Sequence, residues 1–347
     1  MPGSRRNTWL VQVAGALAVS AIALWLTFRR VSMADFMQII RAADLQELVP
    51  YLALFVLIQL FRALRWRLLL DPVAKLGFAR VNEANAVGLM VMTILPLRIG
   101  EIARPMLIAT PPRLTTARAL PSVVIEHVVD AAATALLLLI ALLFLPGHFR
   151  MKVAMKATGI AALLVSVLVL SWLLVFHGRG MGIASWAGKA AGGLKPAWAR
   201  PAEHWVGSWA EAIQLPGSIA SRVLLGLVTF GYWTCAAWSL QVLGGAVGLR
   251  ITLPMACMVT GAINLGAVVP AGPGMAGTLQ VSTILALSLV TLETSMGTRI
   301  AAFANLLWAS QLVLQVAWGL LFLPSISVRQ RLASLILNLF GRNGKEP

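Results

Sequence analysis

Residues 93–101 read Thr-Ile-Leu-Pro-Leu-Arg-Ile-Gly-Glu, and they interrupt an apolar run of the kind that enters a membrane. A second interruption, at residues 267–275, reads Ala-Val-Val-Pro-Ala-Gly-Pro-Gly-Met. Each run stops at a proline and resumes through a glycine four residues later. Because proline lacks a backbone donor and glycine weakens a helix, each break frees polar backbone groups at membrane depth. Two such breaks, one in each half of the chain, are typical of a transporter-like site between repeats.

The composition predicts an all-α polytopic membrane protein. Of the 347 residues, 59% are hydrophobic and 12% are charged, and the mean hydropathy is +0.85. Several uncharged runs approach the ~20 residues that a helix needs to cross a bilayer. Alternating segments of about ten residues do not recur, which argues against a membrane β-barrel.

Six segments are predicted to cross the membrane fully: Trp9–Phe28, Leu48–Leu70, Leu120–Leu145, Ala157–Phe176, Val223–Leu243 and Ile300–Leu323. The first ends at two arginines rather than at a small, polar exit, so we expect a retained helix and not a signal peptide. The segment 85–97 is too short to cross and ends at the first break. Segments 251–269 and 278–292 flank the second break, and both interrupted regions are predicted to be re-entrant hairpins.

The basic residues predict the orientation. With both termini in the cytoplasm and both hairpins returning to their side of entry, 20 of the 28 Lys and Arg residues lie inside and 8 outside. Residues 48–145 and 223–323 then form two units of opposite direction, an inverted repeat within a single membrane domain. The net charge of +16 is interpreted as orientation and attraction to anionic lipids, with no nucleic-acid partner.

Residues 178–217 form the longest polar segment and are rich in tryptophan. Tryptophan favours the headgroup level, so one or two helices lying on the cytoplasmic interface are predicted, and a plain connecting loop is the alternative. The chain offers no other segment for a soluble domain. Any chemistry is therefore expected in or against the membrane.

Glu126 and Asp130 lie four residues apart, on one face of a predicted span. Ionisable groups at that depth usually face the bundle interior or a cavity. They are interpreted either as a polar lining, a proton relay or counter-charges for arginines, or as ion pairs that only fix helix packing. His127 points about 100° away from Glu126 on a helix, so a catalytic or metal cluster with it is not favoured.

The first break is flanked by Arg98, Glu101 and Arg104. The two arginines are suited to bind a phosphate, with Glu101 positioning one of them, and a solvated cytoplasmic loop is the alternative. Arg62 and Arg65 lie near the end of the second span, where arginines often extend to the interface. Arg62 lies deeper and is the better candidate to face a cavity.

The second break contains a Gly-x-Gly-x-x-Gly match, which is discarded as a nucleotide signal because it lacks a soluble strand before it. Its glycines are interpreted as turn and hinge positions, and Asn264 and Gln280 as hydrogen-bond partners of freed carbonyls. The predicted hinges are Pro96, Gly100, Pro270, Gly272, Pro273, Gly274 and Gly277. The sequence has no metal-protease, serine-hydrolase or nucleotide-loop motif, and the two cysteines form no metal-binding pair, so no catalytic residue, metal or cofactor is expected.

Four landmarks resemble a known family. They are Arg62-Ala-Leu-Arg-Trp, Leu95-Pro-Leu-Arg-Ile-Gly-Glu-Ile-Ala-Arg, Glu126-His-Val-Val-Asp and Val269-Pro-Ala-Gly-Pro-Gly-Met-Ala-Gly-Thr. In this order they are similar to the lysylphosphatidylglycerol synthase transmembrane, or flippase-like, family over about residues 10–325. His127 replaces the family's usual arginine, and Gln280 stands where a glutamate is often found.

The resemblance implies a bacterial inner-membrane protein that moves or handles lipids. Relatives with a C-terminal aminoacyltransferase domain make lysyl-phosphatidylglycerol, and the sequence ends soon after its last predicted span, so no synthase activity is expected. A lipid translocase for an anionic or zwitterionic phospholipid is favoured, with Arg62, Arg65, Arg98, Glu101, Arg104, Glu126, Asp130, Asn264 and Gln280 along its path. The alternatives are a scaffold for a lipid-modifying or glycosyltransferase enzyme and an ion-coupled solute transporter.

Overall fold

The structure is a computed structural model that describes residues 22, 25, 34, 37–38, 41–42, 44–95, 100–110, 114–145, 149–194, 196, 199–200, 203, 207, 216–267, 272–290 and 297–323. Within these ranges the secondary structure is helical, apart from one isolated bridge between Thr110 and Leu114. The predicted first span, except Ile22 and Trp25, lies outside the described residues, as do Pro96, Arg98 and Pro270.

The first half of the chain contains a long helix, a broken pair of helices and a second long helix. Their bounds are α1 (Leu48–Leu70), α2 (Phe78–Ile94), α3 (Gly100–Ile108) and α4 (Thr116–Phe144). The Thr115 hydroxyl caps α4 by accepting the Arg118 backbone N–H at 3.3 Å. Helix α2 begins seven residues before the predicted segment 85–97. The polar residues Arg80, Asn82 and Glu83 end the apolar run on which the prediction was based, but they are compatible with a helix.

Helix α5 (Phe149–Leu194) is 46 residues long and joins the two halves. This span was predicted to end at Phe176, but the helix continues into the polar segment as far as Leu194. Charge and hydropathy change at Phe176, and the prediction relied on that change. The first residue after it that disfavours a helix strongly is Pro196, and the helix ends just before it. The tryptophan-rich residues beyond it lie largely outside the described residues.

The second half repeats this order. It contains α6 (Ile219–Ala246), α7 (Leu253–Gly266), a 3₁₀ turn (Pro273–Met275), α8 (Thr278–Ser288) and α9 (Gly297–Phe322). Among the described residues, four helices are long and apolar enough to cross a membrane: α1, α4, α6 and α9. The protein is therefore a polytopic membrane protein, and these helices match four of the predicted spans to within about four residues.

The contacts between the two halves are reciprocal. Helix α1 packs along α6, the corresponding helix of the other half. Helix α2 packs against α9, and α7 packs against α4, so each broken pair lies against the last long helix of the opposite half. This exchange brings the two breaks towards the centre of the bundle, where α2 also contacts the 3₁₀ turn.

Close helix approach fixes this arrangement. A Cβ at Gly88 of α2 would lie 2.4 Å from the Cγ and 3.1 Å from the Cα of Arg104 on α3. A Cβ at Gly319 of α9 would lie 2.3 Å from the Cβ of Met90 on α2. Only glycine permits these backbone separations, so both contacts of α2 depend on residues without side chains.

Candidate functional site

Four charged side chains from three helices form a buried cluster, here called the ion-pair cluster: Arg65, Arg104, Glu126 and Asp130. The Arg65 guanidinium donates to Glu126 at 2.7 Å and to both oxygens of Asp130 at 2.5 and 2.9 Å. Glu126 Oε2 lies 2.8 Å from Nη1 of Arg104. Because two arginines face two carboxylates, the cluster is formally neutral, as buried charges require.

Aromatic side chains enclose the cluster. The Arg65 guanidinium lies 4.7 Å from the ring centre of Tyr232, and that of Arg104 lies 4.4 Å from the ring centre of Trp66. The indole N–H of Trp233 donates to Asp130 Oδ1 at 3.0 Å. Both carboxylates lie within ion-pair distance of an arginine, as the counter-charge interpretation and the helix-packing alternative both expect.

Arg104 does not lie in a solvated loop. It is on α3 and only 4% exposed, because the close contact at Gly88 holds α3 against α2. The alternative interpretation of this region as an exposed loop is therefore wrong for Arg104. Glu101, on the same helix, lies 3.3 Å from Nε2 of His127, and Arg98, one of the two arginines that it was expected to position, lies outside the described residues. His127 is half exposed and turned away from the ion-pair cluster.

A cavity of about 250 Å³ opens next to the ion-pair cluster, in the middle of the bundle. We call it the central cavity. It lies between α1, α6 and α9 and touches both interrupted helix pairs. Its lining includes Thr93 and Leu95 at the first break and Ala267, Gly272, Gly274 and Met275 at the second.

One arginine lies in the cavity wall. Arg62 donates to the Tyr232 hydroxyl at 3.0 Å and lies 5.5 Å from the centre of that ring. It is about 12 Å, by helical rise, from the end of α1, which places it well inside the span. Among the described lining residues Arg62 is the only charged side chain.

The second break turns through left-handed glycines. Gly274 and Gly277 have φ values of +59° and +86°, which a side chain would strain. Gln280, fully buried, accepts the Gly277 N–H at 2.8 Å. Asn264 lines the central cavity and donates to the Thr134 hydroxyl at 2.7 Å. The amide groups of both residues donate elsewhere: Gln280 Nε2 donates to Asn305 Oδ1 at 3.5 Å, and Asn264 also donates to the Asp130 backbone carbonyl of α4 at 3.5 Å. The carbonyls of residues 268–271 lie outside the described residues.

The structure thus divides the predicted residues into groups. It brings Arg65, Arg104, Glu126 and Asp130 together in the ion-pair cluster, and it places Arg62 and Asn264 in the wall of the cavity. Gln280 supports the second break, and Glu101 lies at the exposed side of α4. The described residues contain no group of three His, Cys, Asp or Glu side chains placed to hold a metal ion.

Sequence reasoning missed several polar residues in the cavity wall. Gln59 of α1 donates a hydrogen bond to Gln315 of α9 at 2.8 Å. Tyr232 and Trp233 line the cavity and also contact the ion-pair cluster. A signal was present: Gln311 and Gln315 lie on one face of an apolar span, where amides are unusual.

The fold and the site define a polytopic helical membrane protein with a central cavity beside a buried, charge-balanced cluster. Residues 13–319 match the family model described as lysylphosphatidylglycerol synthase TM region, and the chain belongs to that family. The match covers nearly the whole chain and is to the transmembrane region of that synthase. No curated protein and no solved structure matches the chain.

Proposed function

We propose that the protein is a lipid translocase in which a headgroup crosses the membrane through the central cavity. The observation that carries this proposal is that one cavity touches both helix breaks. A polar site at the meeting point of two interrupted helices is where transporters of this architecture bind their substrates. The acyl chains would remain in the bilayer while the headgroup occupies the cavity.

The reciprocal contacts support an inverted repeat. If residues 48–145 and 223–323 are exchanged, α1 against α6 maps onto itself, and α2 against α9 maps onto α7 against α4. A pseudo-twofold relation would produce this pattern. Rocking of one unit against the other would then expose the central cavity alternately to the two membrane faces, with the broken pairs acting as re-entrant hairpins.

The ion-pair cluster has a positioning role in this proposal. It joins α1, α3 and α4 within the first unit, and Tyr232 and Trp233 of α6 contact it from the second. Because its ion pairs join three helices, the cluster would make the first unit move as a rigid body. The contacts of Trp233 with Asp130 and of Tyr232 with Arg65 are then among those that have to change when the units rock.

The distribution of basic residues supports the proposed location. We place the protein as a multi-pass protein of the bacterial inner membrane with both termini in the cytoplasm, since 20 of 28 basic residues would then lie inside. Arg65 and Arg104 in the ion-pair cluster, and Arg62 in the cavity wall, belong to the inside group although they lie within the bundle. Without these three arginines, 17 of the remaining 25 basic residues lie inside.

A headgroup-accessibility assay tests the proposal. The purified protein is reconstituted with fluorescent phospholipid analogues, and an impermeant reagent bleaches the outer leaflet. Without translocation about half the signal persists, and with translocation it falls well below half. We expect Ala236→Phe, which places a large side chain in the cavity wall, to reduce the rate at least tenfold. Ala220→Phe, an exposed position on the same helix, is the matched control.

The outcomes separate translocation from the alternatives. Bleaching that stops at half with folded wild-type protein would contradict autonomous translocation. A scaffold for a partner enzyme predicts that Ala236→Phe is silent in the assay. An ion-coupled carrier of a soluble solute predicts no lipid movement and solute uptake that follows an imposed proton or sodium gradient.

A further inference from the structure

Two ion pairs of different kinds hold the first broken pair of helices against α4. Arg104 of α3 binds Glu126 at 2.8 Å inside the bundle. About one turn nearer the break, Glu101 lies 3.3 Å from Nε2 of His127 on the exposed side of α4. Resting on the proposed function, we infer that the contact between Glu101 and His127, here called the histidine latch, regulates the first break by pH. Acidification closes the latch and slows translocation.

The two ion pairs respond differently to pH. Arginine keeps its charge at every pH that a protein experiences, and Glu126 lies between two arginines. The pair of Arg104 and Glu126 therefore holds α3 throughout the physiological range. The charge of an imidazole changes between pH 5 and 8, and His127 forms an ion pair with Glu101 only when it is protonated. The latch is thus present at low pH and is lost as the pH rises.

The latch is accessible to protons from one side of the membrane. The side chain of His127 is 49% exposed, and that of Glu101 is 27% exposed. Ile125, on the same turn of α4, packs in an apolar cluster with Leu69, the next-to-last residue of α1, and with Leu225 in the second turn of α6. In the proposed orientation these two helix ends face the cytoplasm. The latch therefore responds to cytoplasmic pH.

Glu101 is the acidic partner that the neighbouring helices offer to His127. Helix α4 packs against α1, α3, α5, α6 and α7. Within these described helices and α4 itself, the acidic residues are Glu101, Glu126 and Asp130. The last two bind arginines in the ion-pair cluster, from which His127 is turned away. Protonation of His127 thus acts on Glu101.

The basic residues of the same helices leave His127 free to take up a proton. Arg65 and Arg104 lie in the ion-pair cluster, and Arg222 of α6 donates to a backbone carbonyl at 2.8 Å. Helix α7 has no charged residue. Helix α5 carries His177 and Arg179 at the level of the latch, because residues 169 and 183 on either side of them pack in the apolar cluster described above. His177 is therefore the second histidine that a test has to control.

The latch acts on the end of α3 that follows the break. Glu101 is the second residue of α3, so the permanent ion pair of Arg104 lies about one turn further from the break. Ala103 of α3 packs with Leu95, and Leu95 lines the central cavity at the end of α2. Loosening the first turn of α3 therefore reaches the cavity wall. Because the break has to rearrange when the units rock, a closed latch slows that step.

Electron paramagnetic resonance measures the latch without requiring transport. Cys235→Ala and Cys257→Ala remove the native thiols, and a nitroxide is attached to Ile102→Cys, an exposed position next to Glu101. We expect the mobile fraction of this label to be about two- to fivefold larger at pH 8 than at pH 5.5, the ratio that a partly exposed ion pair gives. A label at Val313→Cys, exposed on α9, is the matched control and should not change with pH.

Four variants assign the response to its residues. His127→Arg keeps the charge at both pH values and should give the low mobile fraction at both. His127→Gln removes the charge and should give the high fraction at both. Glu101→Gln should also abolish the response, and it keeps the test decisive if His127→Arg does not fold. His177→Gln should retain the response of the wild type.

The bleaching assay, with the same pH on both sides of the membrane, then tests the regulation. We expect wild-type translocation to be about two- to fivefold faster at pH 8 than at pH 5.5, and equal at both pH values in His127→Gln. A rate that does not depend on pH, or that is higher at pH 5.5, would overturn the regulatory role.

The results distinguish the two proposals. A label that does not respond to pH in the wild type, or that responds equally in His127→Gln, would overturn the latch even if lipids are translocated. A response that requires His127 and Glu101, in a protein that moves no lipid, would support the latch and reject the translocase.

Discussion

The Glu126→Gln substitution tests the physical role of the ion-pair cluster most directly. Glu126 is 2% exposed, and its oxygens lie 2.7 Å from Nη2 of Arg65 and 2.8 Å from Nη1 of Arg104. Replacing it leaves Arg104 without its carboxylate partner and Arg65 with only Asp130. Removing one partner of a buried ion pair costs about 3–5 kcal/mol, because the remaining charge stays buried without compensation. Since two ion pairs are lost at once, we expect the upper part of that range.

The free energy of unfolding is measured by titrating mixed micelles with a denaturing detergent and following the helical signal. Asp71→Asn is the control, since its ion pair with Lys75 is exposed and should change stability by less than about 1 kcal/mol. Glu126→Gln combined with Arg104→Met restores a neutral cluster. We expect the double variant to be at least about 1 kcal/mol more stable than the sum of the single effects predicts. A Glu126→Gln protein as stable as Asp71→Asn would refute the reasoning.

Three further substitutions test the fold around the site, with unfolding measured in the same way and Gly217→Ala, in open space, as the common control. Gly88→Ala should destabilise the protein by about 1–3 kcal/mol, because the new methyl group overlaps Arg104, and an effect equal to the control would contradict that packing. Gly277→Ala should cost about 1–3 kcal/mol because its φ is +86°, and an effect equal to the control would contradict a left-handed conformation at this residue. Gln59→Leu should cost about 1–3 kcal/mol by leaving its amide partner unpaired, and no loss would mean that water already replaces that bond.

Much of the helix arrangement follows from local sequence. Runs of apolar residues long enough to cross a bilayer predicted α1, α4, α6 and α9, because the need to satisfy backbone groups in hydrocarbon leaves helices as the only choice. The broken pairs were located by their prolines and glycines, whose effects are confined to one or two turns. Helix ends without such residues, as at Phe176, were located less well.

The buried acidic pair was also predictable, since two carboxylates on one face of an apolar span have few stable environments. The sequence did not determine which arginine would bind them. Arg65 of α1 binds both carboxylates, and Arg104 of α3 binds Glu126. Arg62, about one turn before Arg65, lies in the cavity wall instead. That division depends on the rotation of α1 about its own axis, which is set by packing against α4 and α6.

By itself, then, the sequence determined that the chain crosses a membrane as helices, where two of those helices break and that two carboxylates share one face of an apolar helix. These properties depend on hydropathy and backbone chemistry, which act over a few residues. Only the tertiary structure decided that the two breaks meet at one cavity and that Gln59 contacts Gln315, 256 residues away along the chain. Such contacts depend on how helix surfaces fit together, and no local pattern records that fit.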